Sequence, residues 1–134
     1  MTVDGETLGR IGTGLVVLLG VGEGDADAQA AKLAGKVAKL RVFDGGDDGR
    51  MDRSLLDVGG AALCISQFTL YGDTRRGLRP SFTEAADPES GERLYGSFCR
   101  ELEARGVPVS RGRFGARMAV ELVNEGPVTL LVEA

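Results

Sequence analysis

Gly14-Leu15-Val16-Val17-Leu18-Leu19-Gly20-Val21 is an uninterrupted apolar run of strand length, and a helical pattern follows it closely. Such a run reads as a strand covered on both faces, at the centre of a sheet. From Asp25 onward the spacing changes. Ala30, Leu33, Ala34, Val37 and Leu40 recur at i, i+3, i+4 and i+7, with Lys32, Lys36 and Lys39 elsewhere on the wheel. Asp25 is the expected N-cap. Gly35 inside this helix costs about 1 kcal/mol relative to alanine, so close packing on the sheet is expected there.

Working outward, Thr2-Val3, Asp4-Gly5 and Leu8 to Ile11 read as a strand, a turn and its returning partner. Arg41-Val42-Phe43 is a short extended piece before a turn region at Asp44 to Asp52, and Ser54 to Val58 leads through Gly59-Gly60 into a strand from Ala61 to Leu70. Tyr71 to Pro80 is a polar loop bearing arginines. A second amphipathic helix is predicted from Pro88 to Arg105, with Leu94, Phe98 and Leu102 on one stripe and Gly106 as its stop. After the extended Val107-Pro108-Val109, Met118 to Val123 and Val128 to Glu133 read as two strands joined through Asn124-Glu125-Gly126-Pro127. With no internal repeat or linker, this order predicts one domain over residues 1–134 of α+β class. Its expected core is a curved, largely antiparallel, barrel-like sheet carrying two helices. Glycine, 21 of 134 residues, suits a sheet bent by bulges and tight turns.

Composition narrows the function classes. At 43% apolar and 27% charged residues the chain is an ordinary globular sequence, large enough for a core without disulfide or metal. No apolar stretch reaches the roughly 18 residues of a membrane span, and no basic-then-apolar leader opens the chain, so a cytoplasmic location is expected. A net charge of −4 argues against wrapping nucleic acid over the whole surface but allows a local basic patch. Cys64 and Cys99 have neither metal nor redox spacing and read as buried, reduced thiols. The chain has 0 histidines, which removes Ser-His-Asp and Cys-His catalysis and any imidazole-bound metal. No metal or cofactor is expected. Chemistry must use hydroxyls, carboxylates, amides, backbone N–H groups or the substrate itself.

Two look-alikes fail on their own residues. Gly20-Val21-Gly22-Glu23-Gly24-Asp25 mimics a dinucleotide-binding turn, but Asp25 replaces the third glycine and Glu23 would oppose a phosphate. A tight strand-to-helix turn is the expected use. Asp44-Gly45-Gly46-Asp47-Asp48-Gly49 mimics a calcium loop, but Gly46 and Leu55 stand where ligands are required. A solvated hairpin turn is expected.

The polar motifs that remain are Ser66-Gln67-Phe68-Thr69-Leu70-Tyr71-Gly72-Asp73-Thr74, Arg79-Pro80-Ser81-Phe82, Gly112-Arg113-Phe114-Gly115-Ala116-Arg117-Met118 and Asn124-Glu125-Gly126-Pro127-Val128-Thr129. Two of them place small hydroxyl and amide groups where an apolar run gives way to irregular backbone. In order, and together with Leu55-Leu56-Asp57-Val58-Gly59-Gly60 and the Gly14 to Gly20 run, they closely resemble the D-aminoacyl-tRNA deacylases. That resemblance implies hydrolysis of the ester joining a D-amino acid, or glycine mischarged on tRNA-Ala, to the 3′ adenosine of tRNA, with L-aminoacyl-tRNA rejected. It implies a homodimer with the active site at the subunit interface. It also implies that Ser66 and Gln67 line the reaction centre, that Thr69 matches a threonine proposed as nucleophile, and that Gly126-Pro127 matches a cis dipeptide projecting into the partner's site.

With no histidine beside it, a threonine hydroxyl is a weak nucleophile. The expected chemistry is therefore backbone N–H stabilisation of the oxyanion near Ser66 to Phe68, with attack by water helped by the ribose 2′-hydroxyl. Phe68, Phe114 and Met118 are candidates for an apolar wall against the adenine or aminoacyl group, with core packing as the alternative, above all for Met118. Arg75, Arg76 and Arg79, with Arg111, Arg113 and Arg117 as a second group, are candidate phosphate contacts. Two departures from the family pattern stand out: the usual first strand before the Thr2-Val3-Asp4-Gly5 turn is lacking, and Asp52 stands where asparagine is usual. An exposed sheet edge would follow from the first. A rival reading is thus an inactive tRNA- or nucleotide-binding homodimer that keeps the pocket.

Overall fold

The computed structural model describes residues 1–45, 50–125 and 128–134. Asp4 and Gly5 both have positive φ, 49° and 81°, the backbone that a two-residue hairpin turn requires. They fold Thr2–Val3 (β1) onto Glu6–Thr7 (β2). The returning strand is therefore Glu6–Thr7 and not Leu8 to Ile11, because a two-residue turn brings the very next residue back into register. Leu8 and Ile11 pack instead into an apolar cluster with Met1, Leu63 and Ile65.

Gly14–Leu19 (β3) leads through a turn into Asp27–Lys39 (α1). The expected tight turn forms: Gly24 has φ 87°, and the Gly22 N–H donates to the Asp25 carboxylate at 2.8 Å. That bond takes Asp25 away from the helix. Ala26 is the N-cap residue, and the Gln29 side chain accepts from its N–H at 2.9 Å. Gly35 meets the guanidinium of Arg105, not the sheet: a Cβ there would lie 3.4 Å from Arg105 Nε.

Arg41–Asp44 (β4) and Met51–Ser54 (β5) form an antiparallel hairpin. The calcium-like positions Gly46 to Gly49 lie outside the described residues. A one-turn helix, Leu55–Val58 (α2), follows. Ser54 and Asp57 cap it reciprocally, Asp57 N–H to Ser54 Oγ at 3.1 Å and Ser54 N–H to Asp57 Oδ2 at 2.8 Å. Ala61–Ser66 (β6), Pro88–Ala104 (α3) and Val109–Arg111 (β7) complete the described elements together with a 3-10 turn at Phe68–Tyr71. Helix α3 matches its sequence pattern closely. Asp87 accepts from the Ser90 N–H at 3.1 Å, Pro88 opens the first turn, and Gly106 at φ 91° follows the end.

The α+β class stands, but the sheet differs from expectation. The central sheet has order β3-β6-β7 and both its pairings are parallel. Each neighbouring pair is connected through a helix, which is how parallel strands are joined. Antiparallel pairing is confined to the two hairpins, isolated bridges aside, and the described strands close no barrel. The central strand is β6, with β3 at the edge. Alternation along β6 divides the core: Ala62 and Cys64 face α1 and α3, where Val37, Leu94, Phe98 and Leu102 are buried, while Leu63 and Ile65 face Met1, Leu8, Ile11, Met118 and Val120. The second cluster covers β6 but not β3. Val16 and Leu18 are consequently 36% and 47% exposed, so the Gly14 to Val21 run is covered on one face only.

Met118 to Val123 and Val128 to Glu133 form no strand among the described residues. Their backbone pairing is a single antiparallel bridge, Thr2 to Ala119, with both hydrogen bonds at 2.9 Å. Leu122, Val123, Leu130 and Leu131 are exposed. Strand-like residues make a strand only where a neighbouring backbone is present to pair with.

Candidate active site

The parallel register places Ser66, the last residue of β6, beside Leu19, the last of β3. The Gln67 N–H still donates to Leu19 O at 2.7 Å, and then no ladder partner remains. For that reason the expected strand to Leu70 stops at Ser66, and the chain winds into the 3-10 turn, with Leu70 N–H on Gln67 O at 3.2 Å and Gly72 N–H on Thr69 O at 2.9 Å. Within this corner the Gln67 side-chain amide donates to Thr69 Oγ1. Ser66 and Gln67 are half-buried; Phe68 and Thr69 are exposed.

The strand leading into the corner is braced from α3. Tyr95 is buried and its hydroxyl donates to Cys64 O at 2.6 Å. It accepts from the Gly112 N–H at 3.1 Å, which also reaches Cys64 O at 3.2 Å. Sequence reading missed Tyr95, whose only signal is an aromatic residue beside the apolar stripe of a helix. Both cysteines are free and buried. Hydrogen bonding to Cys99, then burial, pushes the Cys64 thiol far above its ordinary range, which leaves it inert.

The wall candidates separate. Phe68 lies at the corner and meets Phe82 edge-on, ring centroids 5.0 Å apart and planes at 66°. Phe114 packs on the helix-side cluster near Gly91, and Met118 packs in the opposite cluster with Met1, Leu63 and Ile65. Gly126 and Pro127 lie outside the described residues. On either side of them, Asn124 Nδ2 donates to Thr129 Oγ1 at 3.3 Å.

Among the arginines, Arg75 is held by Asp73. Its backbone N–H and Nε each meet Oδ1 at 2.9 Å, and a second guanidinium nitrogen meets Oδ2 at 2.7 Å. These bonds hold the half-buried Asp73 carboxyl down at about 2. An antiparallel bridge between Asp73 and Ser81 closes the loop, whose Arg76 and Arg79 are exposed. Arg111 pairs with Glu103 at 2.6 Å. A cleft of about 380 Å³ lined by Gly22, Glu23, Asp25, Tyr71 and Glu84 lies behind the turn. Burial, then Asp25, Glu133 and Glu84, pushes the Tyr71 phenol up. An acidic cleft repels phosphate, so the arginine loop is the better side for a nucleic acid.

A central strand that ends in half-buried Ser66 and Gln67, followed by exposed Phe68 and Thr69, presents a site built on amide and hydroxyl groups. The chain belongs to the family described as D-Tyr-tRNA(Tyr) deacylase, whose family model matches residues 1–133. It is 57% identical to a D-aminoacyl-tRNA deacylase of Roseiflexus castenholzii over 134 residues, covering 100% of this chain and 85% of the relative. A D-aminoacyl-tRNA deacylase of Ruegeria pomeroyi is 55% identical over 133 residues, 99% of this chain and 91% of that one. Among solved structures, a c-Myc DNA unwinding element binding protein superposes with a TM-score of 0.92 at 36% identity, covering 99% of this chain and 90% of that one. A probable eukaryotic D-amino acid tRNA deacylase shares the fold with a TM-score of 0.65 at 18% identity, over 84% and 79% of the two chains.

Proposed function

We propose that this protein hydrolyses the ester of D-aminoacyl-tRNA, with Ser66, Gln67 and Thr69 forming the reaction centre. The observation that carries the reading is the Gln67 to Thr69 hydrogen bond just beyond the end of β6, in a chain that fits the family along its length. That bond also supports a supporting role for Thr69. A hydroxyl that accepts an amide N–H and has no base beside it gains no nucleophilicity. The Gln67 N–H is committed to Leu19, which leaves Phe68 to offer the backbone N–H to the oxyanion. Water attacks, helped by the substrate's own 2′-hydroxyl.

The active unit is a homodimer with the site at its interface. In support, Val16 and Leu18 form an exposed apolar strip along β3, and Leu70 continues it beside Gly20 up to the corner. Gly126 and Pro127 of the second copy close the site against L side chains, and glycine attached to tRNA-Ala passes the same filter. Phe68 stacks on the terminal base, with Phe114 and Met118 supporting the wall from the two clusters. Arg75, Arg76 and Arg79 meet the tRNA phosphates. The reaction is cytoplasmic and needs no cofactor. Following ester loss from D-Tyr-tRNA, L-Tyr-tRNA and Gly-tRNA tests the proposal: loss of the D ester with the L ester spared supports it, and tight binding without hydrolysis favours the inactive binding dimer.

A further inference from the structure

Gly20 and Gly22 are positions where a side chain would strike Tyr71. A Cβ on Gly22 would stand 2.6 Å from the Tyr71 hydroxyl oxygen and 2.8 Å from Cζ, and one on Gly20 would stand 3.1 Å from Cε2. The ring therefore lies directly on the backbone of the turn that follows β3. That backbone is held from its other side. Glu23 N–H donates to Glu84 O and Ala86 N–H to Val21 O, both at 2.9 Å, and Gly22 bridges Ala85. Asp25 closes the same turn through the Gly22 N–H.

Tyr71 ends the 3-10 turn that begins at Phe68, and Gln67 at its other end is bonded to Leu19. Both ends of the turn are thus fastened to residues 19–22. A short 3-10 turn has poor internal hydrogen-bond geometry and does not hold its own shape. What fixes the Gln67 to Thr69 corner is the bond to Leu19 at one end and the seated ring at the other.

We propose that Tyr71 is a positioning residue, its ring seated in the notch left by Gly20 and Gly22 so that the backbone of the corner, and with it the Phe68 N–H, stays in the geometry turnover requires. The glycines that imitate a dinucleotide-binding turn serve as its socket. This inference rests on the deacylase reading above. Misplacing a reacting group by about 1 Å costs on the order of a hundredfold in rate, so loss of the ring acts on kcat and leaves KM largely alone.

The test compares steady-state D-Tyr-tRNA hydrolysis by wild type, Tyr71→Ala, Tyr71→Phe, Gly22→Ala and the Gly22→Ala/Tyr71→Ala double variant, each checked for folding by thermal melting. Tyr71→Ala and Gly22→Ala should lower kcat at least ~10-fold with KM within about twofold, and Tyr71→Phe should recover most of what Tyr71→Ala loses. The double variant should be no slower than Tyr71→Ala, because the added methyl collides only with a ring that is no longer there. Gly22→Ala deletes no atom of the corner and keeps the inference testable if Tyr71→Ala fails to fold. Unchanged kcat in folded Tyr71→Ala, or losses that multiply in the double variant, overturns this inference alone. A wild-type chain that leaves the ester intact overturns it together with the functional reading.

Discussion

Tyr95→Phe removes one oxygen from the centre of the molecule and tests whether the hydroxyl braces the strand that carries the site. The oxygen makes two contacts, donation to Cys64 O at 2.6 Å and acceptance from Gly112 N–H at 3.1 Å. A net hydrogen bond of this type is worth about 1 kcal/mol, and leaving a buried partner unpaired costs up to about 3 kcal/mol more. Here neither partner is orphaned, because Gly112 N–H and Cys64 O keep their own contact at 3.2 Å. The cost should therefore stay near the lower figure, about 1 to 1.5 kcal/mol. For a domain of this size that is a fall in Tm of roughly 4 to 6 °C. Urea unfolding should show the midpoint shifted and the slope unchanged, since no extra surface is exposed. Two results refute the reasoning: an unchanged midpoint, which means the hydroxyl does nothing, or a loss of about 3 kcal/mol or more, the size expected from deleting the whole ring.

Gly14→Ala puts a Cβ 1.8 Å from Ala61 O, which would force β3 off β6, so a loss of at least about 3 kcal/mol in chemical denaturation is expected. Gly12→Ala, with nothing within 4 Å of its Cβ, is the control and should be near neutral. Thr69→Ala should retain most single-turnover hydrolysis; complete loss with unchanged melting and binding would restore the hydroxyl as nucleophile. Replacing Arg76 and Arg79 by alanine should weaken tRNA binding and reduce the slope of log affinity against log salt by about 1 to 2, and an unaltered slope refutes the phosphate contacts. Asp73, held at about 2 against an ordinary 3.8, contributes stability that is complete above about pH 4 and lost as the pH falls toward 2. An NMR titration of its carboxyl with a midpoint near 3.8 would contradict the ion pair to Arg75.

Signals confined to a few neighbouring residues were legible in the chain itself. The apolar stripe Leu94, Phe98 and Leu102, with Asp87 before Pro88 and Gly106 after the end, fixes α3 because helix periodicity and capping are local. The Ser-Gln-Phe-Thr corner was visible as polar residues at the end of an apolar run, and the lack of histidine limited the chemistry available to it. Tertiary structure decided which backbones meet. It placed β3 at the edge of a parallel sheet, left Val16 and Leu18 uncovered, and ended β6 at Ser66 where β3 ends. It also gave Arg75 to Asp73, Tyr95 to Cys64 and Tyr71 to the two glycines. Spacing along a chain reports which side chains share a face, but the partner of that face is chosen by packing among segments far apart in sequence, and no local pattern encodes it.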